Sequence, residues 1–358
     1  MGRNLKSRRD ILNAGLAAGA LAAFGSTGAR TAKAQKLDTI NIAASPFINQ
    51  SVVFLPKELG LYAKVGIEAQ IRTFPDGALI VAPLIAGDVD LGVVTCSAGL
   101  FNSISRGATM KAALCTGQAQ QGRGGTAILV RTDLYEAGVK TLADLRALKG
   151  KTVAVGAAGS INQYSMSRAL VAAGLNPLTD VSWQTTVAQP DIVKQLGQKQ
   201  VDAAELTYFL AFLAQRQGFA KIIASRDDSA PGSQVSMLAV RDEFAAKQRD
   251  LVVRYAMAHV HAARLFNKVA GDPEKNRDMV ELITKNIFVK DISLLNAIAP
   301  HWEYVAEGGP NEASVLEQQD FWSDTFKMVE RKVPASRIID ASIAAEAVKR
   351  LDAEKPFG

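Results

Sequence analysis

Between residues 38 and 225, short runs of β-branched residues alternate with longer stretches of helical periodicity, and this alternation constrains the fold more than any other feature. Alternation of this kind predicts an α/β architecture with mainly parallel sheets. The predicted strands are residues 39–43, 67–72, 90–94, 110–115, 152–155 and 202–206. From residue 242 onward the pattern predicts mainly helix.

Two pairs of similar short segments indicate that the alternating region contains two similar halves. Residues 89–95 (VDLGVVT) and 201–207 (VDAAELT) each follow a predicted helix and turn, open with Val-Asp and close with Thr. Residues 39–45 and 152–160 form a second pair, in which a strand and small residues precede a Ser. Two lobes of similar topology explain both pairs of similar segments, and chance is the alternative for matches this short.

Two further apolar runs, residues 127–131 and 235–240, are interpreted as the crossings between the two lobes. We therefore expect one lobe to comprise residues 35–126 and to be completed by residues 237–358, which include the C-terminal helices. The other lobe is expected to comprise residues 127–236.

Several helix boundaries are marked by capping residues. The segments TLAD (141–144) and SINQ (160–163) have the spacing of a capping box, in which two end amides are satisfied reciprocally. Ser97 is predicted to open a further helix. Pro83 lacks a backbone donor, so the helix predicted over residues 77–86 is expected to be kinked or to start late.

The N-terminus has the pattern of an export signal. A basic region that contains Arg8 and Arg9 precedes an apolar stretch of about 14 residues, shorter than the roughly 20 that span a bilayer. The stretch ends near Ala32-Lys33-Ala34, a small-x-small cleavage pattern, and Arg8-Arg9 resembles the twin-arginine signal. We therefore expect residues 1–34 to direct export to the periplasm through the twin-arginine pathway and to be removed. A retained membrane anchor is the alternative.

The charge distribution argues against a nucleic-acid partner. The chain has a net charge of +6, of which about five units lie in residues 1–34, so the remainder is nearly neutral. Nucleic-acid binding requires a basic field on the folded domain. The basic character therefore belongs mostly to the predicted signal.

Polar residues follow the predicted strands at positions that open loops or helices. In α/β sheets the loops beyond the carboxyl ends of the strands line the ligand crevice, and Ser45, Thr95, Ser160 and Thr207 fall on such loops. Ser97 and Ser160 also occupy predicted helix N-termini, where free amides and the positive end of the helix dipole hold anions. The alternative is that both serines are plain helix caps.

Other side chains on these loops extend the candidate ligand site. Glu205 is expected to contact a ligand amine or hydroxyl, to order a hydrogen bond between the lobes, or to be solvated. Arg123 is the best-placed cation for an acidic ligand, and Phe47 and Tyr208 are candidate apolar walls. The full candidate set is Ser45, Phe47, Asn49, Gly77, Thr95, Cys96, Ser97, Arg123, Ser160, Ile161, Asn162, Glu205, Thr207 and Tyr208.

A series of short stretches carries a resemblance to a known family. They are PKELGLYAKVG (56–66), FPDG (74–77), AGDVDLG (86–92), LKGKTVAVG (148–156), GS (159–160), AAGL (172–175), VDAA (201–204) and VRDEF (240–244). In order and spacing they resemble the periplasmic binding proteins for nitrate, sulfonates, taurine and related compounds, a family that also includes thiamine-pyrimidine binders. The likeness covers nearly all of the chain after residue 34.

The resemblance implies a bilobal periplasmic-binding-protein fold of type II, with two α/β lobes joined by two crossing strands that close over one ligand. The helix N-termini predicted at Ser97 and Ser160 favour a small anionic organic ligand of the sulfonate or carboxylate type, and nitrate, bicarbonate and pyrimidine ligands are the alternatives. We expect a monomeric protein without a cofactor that delivers this ligand to the membrane permease of an ABC importer. Relatives commonly carry a Trp-Glu-Pro-like segment after VDAA, whereas this chain has Glu205, Leu206, Thr207 and Tyr208. This departure bears on the identity of the ligand.

The sequence leaves two other functional classes open. An enzyme on the same fold, similar to a desulfinase, could use Cys96 as a nucleophile, but a reactive thiolate requires a neighbouring base or cation. No histidine falls on the predicted cleft loops, and no zinc-binding motif is present. Cys96 and Cys115 could form one disulfide or could be two buried thiols on neighbouring strands. An exported sensor subunit that presents its ligand to a membrane receptor is the third alternative.

Overall fold

The computed structural model describes residues 36–358, which are built around two five-stranded sheets. The predicted signal of residues 1–34 lies outside the described residues. The strands are β1 (Asp38–Ala44), β2 (Ile67–Thr73), β3 (Leu91–Thr95), β4 (Met110–Gln118), β5 (Thr126–Arg131), β6 (Lys151–Ala154), β7 (Val181–Gln184), β8 (Ala203–Thr207), β9 (Ala220–Ser225) and β10 (Gln234–Arg241). The first sheet has the order β2-β1-β3-β10-β4 and the second the order β7-β6-β8-β5-β9.

Helices cover both faces of the sheets and make up most of the chain after β10. The α-helices are α1 (Ser51–Glu58), α2 (Leu61–Lys64), α3 (Val81–Ala86), α4 (Ala98–Ser105), α5 (Thr132–Glu136), α6 (Ile161–Ala172), α7 (Gln189–Gly197), α8 (Tyr208–Arg216), α9 (Arg226–Ser229), α10 (Asp242–Lys247), α11 (Arg249–Gly271), α12 (Arg277–Asn286), α13 (Ile292–Ile298), α14 (Glu312–Asp324), α15 (Ala335–Ile338) and α16 (Ser342–Glu354). Short 3-10 helices span Ile48–Gln50, Gly77–Ile80, Leu142–Leu148 and Ala299–His301. In the part of the chain that the structure describes, no helix combines the length and apolarity needed to cross a bilayer.

Both sheets are mixed, so the prediction of mainly parallel sheets needs correction. Strand β10 runs antiparallel to β3 and β4, and β5 runs antiparallel to β8 and β9. The reason is the path of the chain. Strand β4 ends at the carboxyl edge of the first sheet, and the chain crosses through residues 119–125 and enters the second sheet as β5, which runs away from that edge. It returns through residues 230–233 and enters the first sheet as β10 in the same manner.

All eight apolar runs singled out in the sequence are strands, including the two predicted crossings, which are the strands that the chain enters on passing from one sheet to the other. Strands β7 and β9 were not predicted. Both are the outermost strands of the second sheet, and several of their residues are half-buried. Edge strands carry mixed polar and apolar residues for this reason, and their periodicity is correspondingly weak.

The predicted caps at Ser97, Thr141 and Ser160 are confirmed, but the reciprocal capping box forms only at Thr141. At Ser160 the side chain of Gln163 accepts from the Gly159 amide instead of the Ser160 amide. The carboxylate of Asp144 accepts a hydrogen bond from the Thr141 amide at 2.9 Å, as in a capping box. Helix α3 begins at Val81 after a 3-10 turn, so Pro83 lies in its first turn, where no backbone donor is needed. The late start that Pro83 predicted is therefore correct.

The core lies on both faces of each sheet. Helices α1, α11 and α16 cover one face of the first sheet, and α4 and Trp322 pack on the other. In the second sheet, Ile128 and Leu129 are neighbours that point into opposite clusters, as the twofold period of a strand requires. Each sheet with its helices is referred to below as the first lobe and the second lobe.

Within residues 36–358, both cysteines are free and buried. Cys115 lies on β4 and Cys96 follows β3, but β10 lies between these two strands. The expectation of neighbouring strands is therefore wrong. Both thiols are buried in the first lobe, so the expectation of two buried thiols is confirmed.

Candidate functional site

The carboxyl ends of the strands in both sheets face each other, and the lobes are in direct contact there. The amide of Ala98, the first residue of α4, donates a 3.0 Å hydrogen bond to the carbonyl of Gly159, which precedes α6. Ile161 and Tyr164 of α6 pack into the core cluster of the first lobe, and Tyr208 of α8 packs against its opposite cluster. The structure therefore shows the two lobes closed.

Ser97 and Ser160 act as helix caps in this closed arrangement. The Ser97 hydroxyl accepts from the Leu100 amide at 3.3 Å, and the Ser160 hydroxyl accepts from the Gln163 amide at 3.3 Å. Ser160 also donates to the carbonyl of Ala157 at 2.7 Å. One amide that an anion would require, that of Ala98, is already bonded across the lobes. A ligand contact at these helix starts stays a prediction.

A buried ionic cluster lies at the junction of the lobes. The guanidinium of Arg226, which begins α9, is 1% exposed and pairs through Nε with Glu205 and through Nη1 with Glu303, both at 3.2 Å. Its Nη2 donates to the side-chain oxygen of Asn162 at 2.7 Å. Arginine presents a planar fork of donors that suits this kind of multiple pairing.

Glu205 is the fully bonded acid of this cluster. Its Oε1 accepts from the Thr126 hydroxyl at 2.6 Å and from Arg226, and its Oε2 accepts from the Ser165 hydroxyl at 2.5 Å. A carboxylate bonded at both oxygens and completely buried has a structural function. Glu205 is therefore neither solvated nor available to a ligand in this state, and through Arg226 it orders the contact between the lobes.

Glu303 is the incompletely bonded acid. Its Oε1 accepts from Arg226, whereas no group among residues 36–358 donates to its buried Oε2. Burial raises the pKa of Glu303 to about 7, and the positive charge of Arg226 opposes the rise. Burying a carboxylate oxygen without a hydrogen-bond donor costs free energy. Glu303 Oε2 is therefore an acceptor that can still take a hydrogen bond.

Polar groups of the first lobe surround Glu303. The amide of Asn49 donates to the Ser236 hydroxyl at 3.0 Å, and the Thr116 hydroxyl donates to the same oxygen at 2.8 Å. A Cβ built at Gly117 would lie 2.6 Å from Asn49 Nδ2 and would collide with Glu303 Oε2. Asn49 was predicted from the sequence, whereas Thr116 and Ser236 were not.

Two of the predicted hydroxyl groups lack hydrogen-bond partners within the described range. They belong to Ser45, which is fully buried after β1, and to Thr207 at the end of β8. The Thr207 amide is held by Gln189 Oε1 at 2.8 Å. Thr95 is half-buried. A Cβ built at Gly77 would lie 3.2 Å from the methyl group of Thr95, so the missing side chain of Gly77 lets these two residues pack closely.

The predicted aromatic walls have aromatic neighbours. Phe47 packs edge-to-face on Phe288, with ring centroids 5.5 Å apart. Tyr208 stacks on His301, with centroids 3.9 Å apart and planes at 10°. His301 was assigned to the helical C-terminal part of the sequence, yet the structure brings it beside a cleft residue, and burial lowers its pKa.

The side chains of three other predicted site residues are engaged in packing or in hydrogen bonds to the backbone. Cys96 is completely buried among apolar side chains of the first lobe, and burial raises the pKa of its thiol. Ile161 is buried in the same cluster. Arg123 is half-buried and donates to the carbonyls of Trp302 and Glu303 at 2.9 and 3.0 Å, so its donors serve the backbone.

Two surface pockets lie away from the junction of the lobes. One, of about 460 Å³, is lined by Arg106 and Gly107 beyond the end of α4 and by residues 331–334 with Arg337. The other, of about 300 Å³, lies at Lys111 and Val240, at the sheet edge opposite the carboxyl ends. Neither contains a residue of the predicted site.

A family model and a curated relative both match most of this chain. A model of the NMT1-like family matches residues 33–284. A Brucella abortus protein that is named as a binding protein, without a stated ligand, is 27% identical over 238 residues, which cover 66% of this chain and 68% of the relative.

Solved structures resemble the fold at low sequence identity. The nitrate-binding protein NrtA from Synechocystis PCC 6803 superimposes with a TM-score of 0.71 at 14% identity and covers 90% of this chain and 91% of its own. The aliphatic sulphonate binding protein SsuA from Escherichia coli gives 0.66 at 19% identity, with coverages of 84% and 92%. A ligand-binding component of an ABC-type import system from Staphylococcus aureus gives 0.69 at 13% identity, with coverages of 86% and 98%. The bilobal periplasmic-binding-protein fold is thereby established.

Proposed function

Since the chain belongs to the NMT1-like family, we propose that it is the ligand-binding component of an ABC-type importer and acts in the periplasm. The observation that carries the proposal is the cluster of buried polar groups where the carboxyl ends of both sheets meet. In doubly wound α/β folds this is the edge at which ligands bind. The names of the nitrate, sulphonate and ABC-import proteins with the same fold support it.

The proposed ligand is a small organic molecule that contacts both lobes and favours their closed form. The finer proposal, a sulfonate or carboxylate group at the starts of α4 and α6, is supported by the positions of Ser97 and Ser160 on opposite sides of the junction. For such a ligand the contact between Ala98 and Gly159 must open, since it occupies an amide that would bind the anion.

The remaining parts of the proposal concern location and partners. Export through the twin-arginine pathway, with removal of residues 1–34, rests on the sequence pattern at Arg8-Arg9. The partner of the ligand-loaded protein is the membrane permease of the importer, and the protein acts as a monomer.

An enzymatic function through Cys96 finds no support in its surroundings. The thiol is fully buried, and burial raises its pKa, so the thiolate that a nucleophile requires is disfavoured. Cys96 contributes to packing in the first lobe.

A ligand screen with a structural readout tests the function. The mature chain is screened by thermal shift against small anions, zwitterions and nitrogen heterocycles, because a ligand that binds only the folded form raises the melting temperature. A true ligand should bind with one-to-one stoichiometry in titration calorimetry. In solution scattering, the radius of gyration of the protein with ligand should be equal to or smaller than that of the protein alone. Two results together would contradict the proposal. They are that no compound binds a protein shown to be folded, and that a strain lacking the gene takes up each of these compounds normally.

A further inference from the structure

The charges buried at the junction of the lobes do not balance. Arg226 contributes one guanidinium, and Glu205 and Glu303 contribute two carboxylates. Glu205 is bonded at both oxygens, so the imbalance falls on Glu303, whose side chain is about 9% exposed and whose Oε2 has no donor among residues 36–358. A buried carboxylate in this condition calls for a cationic partner.

The nearest further cation does not supply that partner. Arg123 directs Nε and Nη2 to the backbone carbonyls of Trp302 and Glu303, and its guanidinium lies over the ring of Tyr304, 5.3 Å from the centroid. It therefore lowers the electrostatic cost of Glu303 only through space and leaves Oε2 without a bond.

Two glycines leave room for the Glu303 carboxylate. At Gly125, which has a φ of +71°, a Cβ would lie 2.6 Å from Glu303 Cδ, and at Gly117 it would collide with Oε2. Gly117 has a φ that any residue can adopt, so its missing side chain matters for space rather than for backbone freedom. Asn49 Nδ2 and Ser236 Oγ border the same place.

The backbone around Glu303 joins the two lobes. Tyr304 pairs with Gln118 at the end of β4, and the carbonyl of His301 accepts from the Gly125 amide just before β5. Arg226, on the other side of the carboxylate, belongs to the second lobe. A ligand group bound to Glu303 Oε2 would therefore lie at the base of the junction, beside Asn49 and Ser236 of the first lobe.

We propose that Glu303 Oε2 binds a protonated nitrogen of the ligand, so that the molecule this protein carries has an amine or amidine group. This inference rests on the proposed function and names the ligand's chemical class. A protonated nitrogen there balances the charges of Arg226, Glu205 and Glu303 and satisfies Oε2. An acidic group on the same ligand must lie away from Glu303, at the starts of α4 and α6.

Matched pairs of compounds that differ in one amine test the inference. The pairs are 3-aminopropanesulfonate and propanesulfonate, 4-aminobutanoate and butanoate, and 4-(aminomethyl)benzoate and 4-methylbenzoate, titrated calorimetrically into the mature chain near pH 8. At least one amine should bind, and its amine-free partner should bind about 10- to 100-fold more weakly, the range for a charge-assisted hydrogen bond.

Two variants assign the effect to the carboxylate. Glu303→Gln keeps the shape and one oxygen for Arg226, and it should abolish the preference for the amine. Glu307→Gln removes a carboxylate four positions along that pairs with Arg264 outside the cluster, and it should keep the preference. Thermal denaturation of both variants establishes that they are folded.

Three outcomes overturn the inference. They are equal binding of an amine-free partner, an amine preference that survives Glu303→Gln, and binding of no compound in any pair. The first two show ligand binding and leave the proposed importer function standing. The third is separated from a failure of that function by the wider screen and the import phenotype described above.

Discussion

Replacing Glu303 by Gln should change the pH dependence of stability in a defined direction. Burial raises the pKa of Glu303 from an ordinary value of 4.5 to about 7. Because the pKa of Glu303 is raised in the folded state, the stability that its protonated form contributes is complete below pH 4.5. This contribution is lost as the pH rises to about 7. A shift of this size corresponds to at most about 3 kcal/mol. Glutamine stays neutral, so the variant escapes this loss.

The measurement is the difference in the free energy of unfolding between Glu303→Gln and the wild type, by urea denaturation from about pH 4 to about pH 8. The difference should move in favour of the variant by up to about 3 kcal/mol across that range. Other titrating groups largely cancel in the comparison, and Glu307→Gln controls for the loss of one carboxylate. A difference that stays flat, or that moves in favour of the wild type as pH rises, would refute the reasoning, since the second result means a depressed pKa.

Three further predictions concern other parts of the chain. Gly125→Ala should cost more stability than Gly150→Ala in denaturant unfolding, because both glycines have a positive φ but only at Gly125 would the new Cβ meet Glu303; equal costs would show that the carboxylate moves aside freely. Ser160→Ala should lower the free energy of unfolding by about 1 kcal/mol through loss of the α6 cap, and an unchanged ligand affinity in the folded variant would remove Ser160 from the binding site. Intact mass of the exported protein should place its N-terminus near Gln35, and lysines at positions 8 and 9 should retain the precursor in the cytoplasm; a mature chain that keeps residues 1–34 would contradict cleavage.

The elements that the sequence predicted well are those with a strong local signal. Interior strands such as β3 and β8 are buried runs, and the caps at Thr141 and Ser160 follow from side-chain spacing alone. Edge strands β7 and β9 were missed because solvent on one side weakens their apolar pattern. The antiparallel direction of β10 depends on where the chain returns, which no local pattern encodes.

The candidate site shows the same division. Asn49 follows β1, and Glu205 and Thr207 lie in the last half of β8, so the rule that ligands bind at the carboxyl ends of strands brought them to the junction. Arg226 sits in the segment SRDD, which has the pattern of a solvated capping box. Glu303 lies 98 positions after Glu205, in a region for which the sequence predicts helix but the structure shows irregular backbone. Their pairing is a long-range contact that a single sequence does not reveal. Cys96 also follows a strand, but its side chain turns into the core of the first lobe, which its position in the sequence does not reveal.

The position of β10 has a consequence for the order in which the protein can fold. This strand is the fourth of five in the first sheet, yet it is made only after the whole second lobe, so β3 and β4 cannot be joined until residues 234–241 have been synthesised. Contacts that span so much chain slow folding. The second sheet, by contrast, is built from the continuous stretch Thr126–Ser225. During synthesis the inserted lobe can therefore become ordered first, and the N-terminal part must wait for β10, the strand that joins β3 to β4.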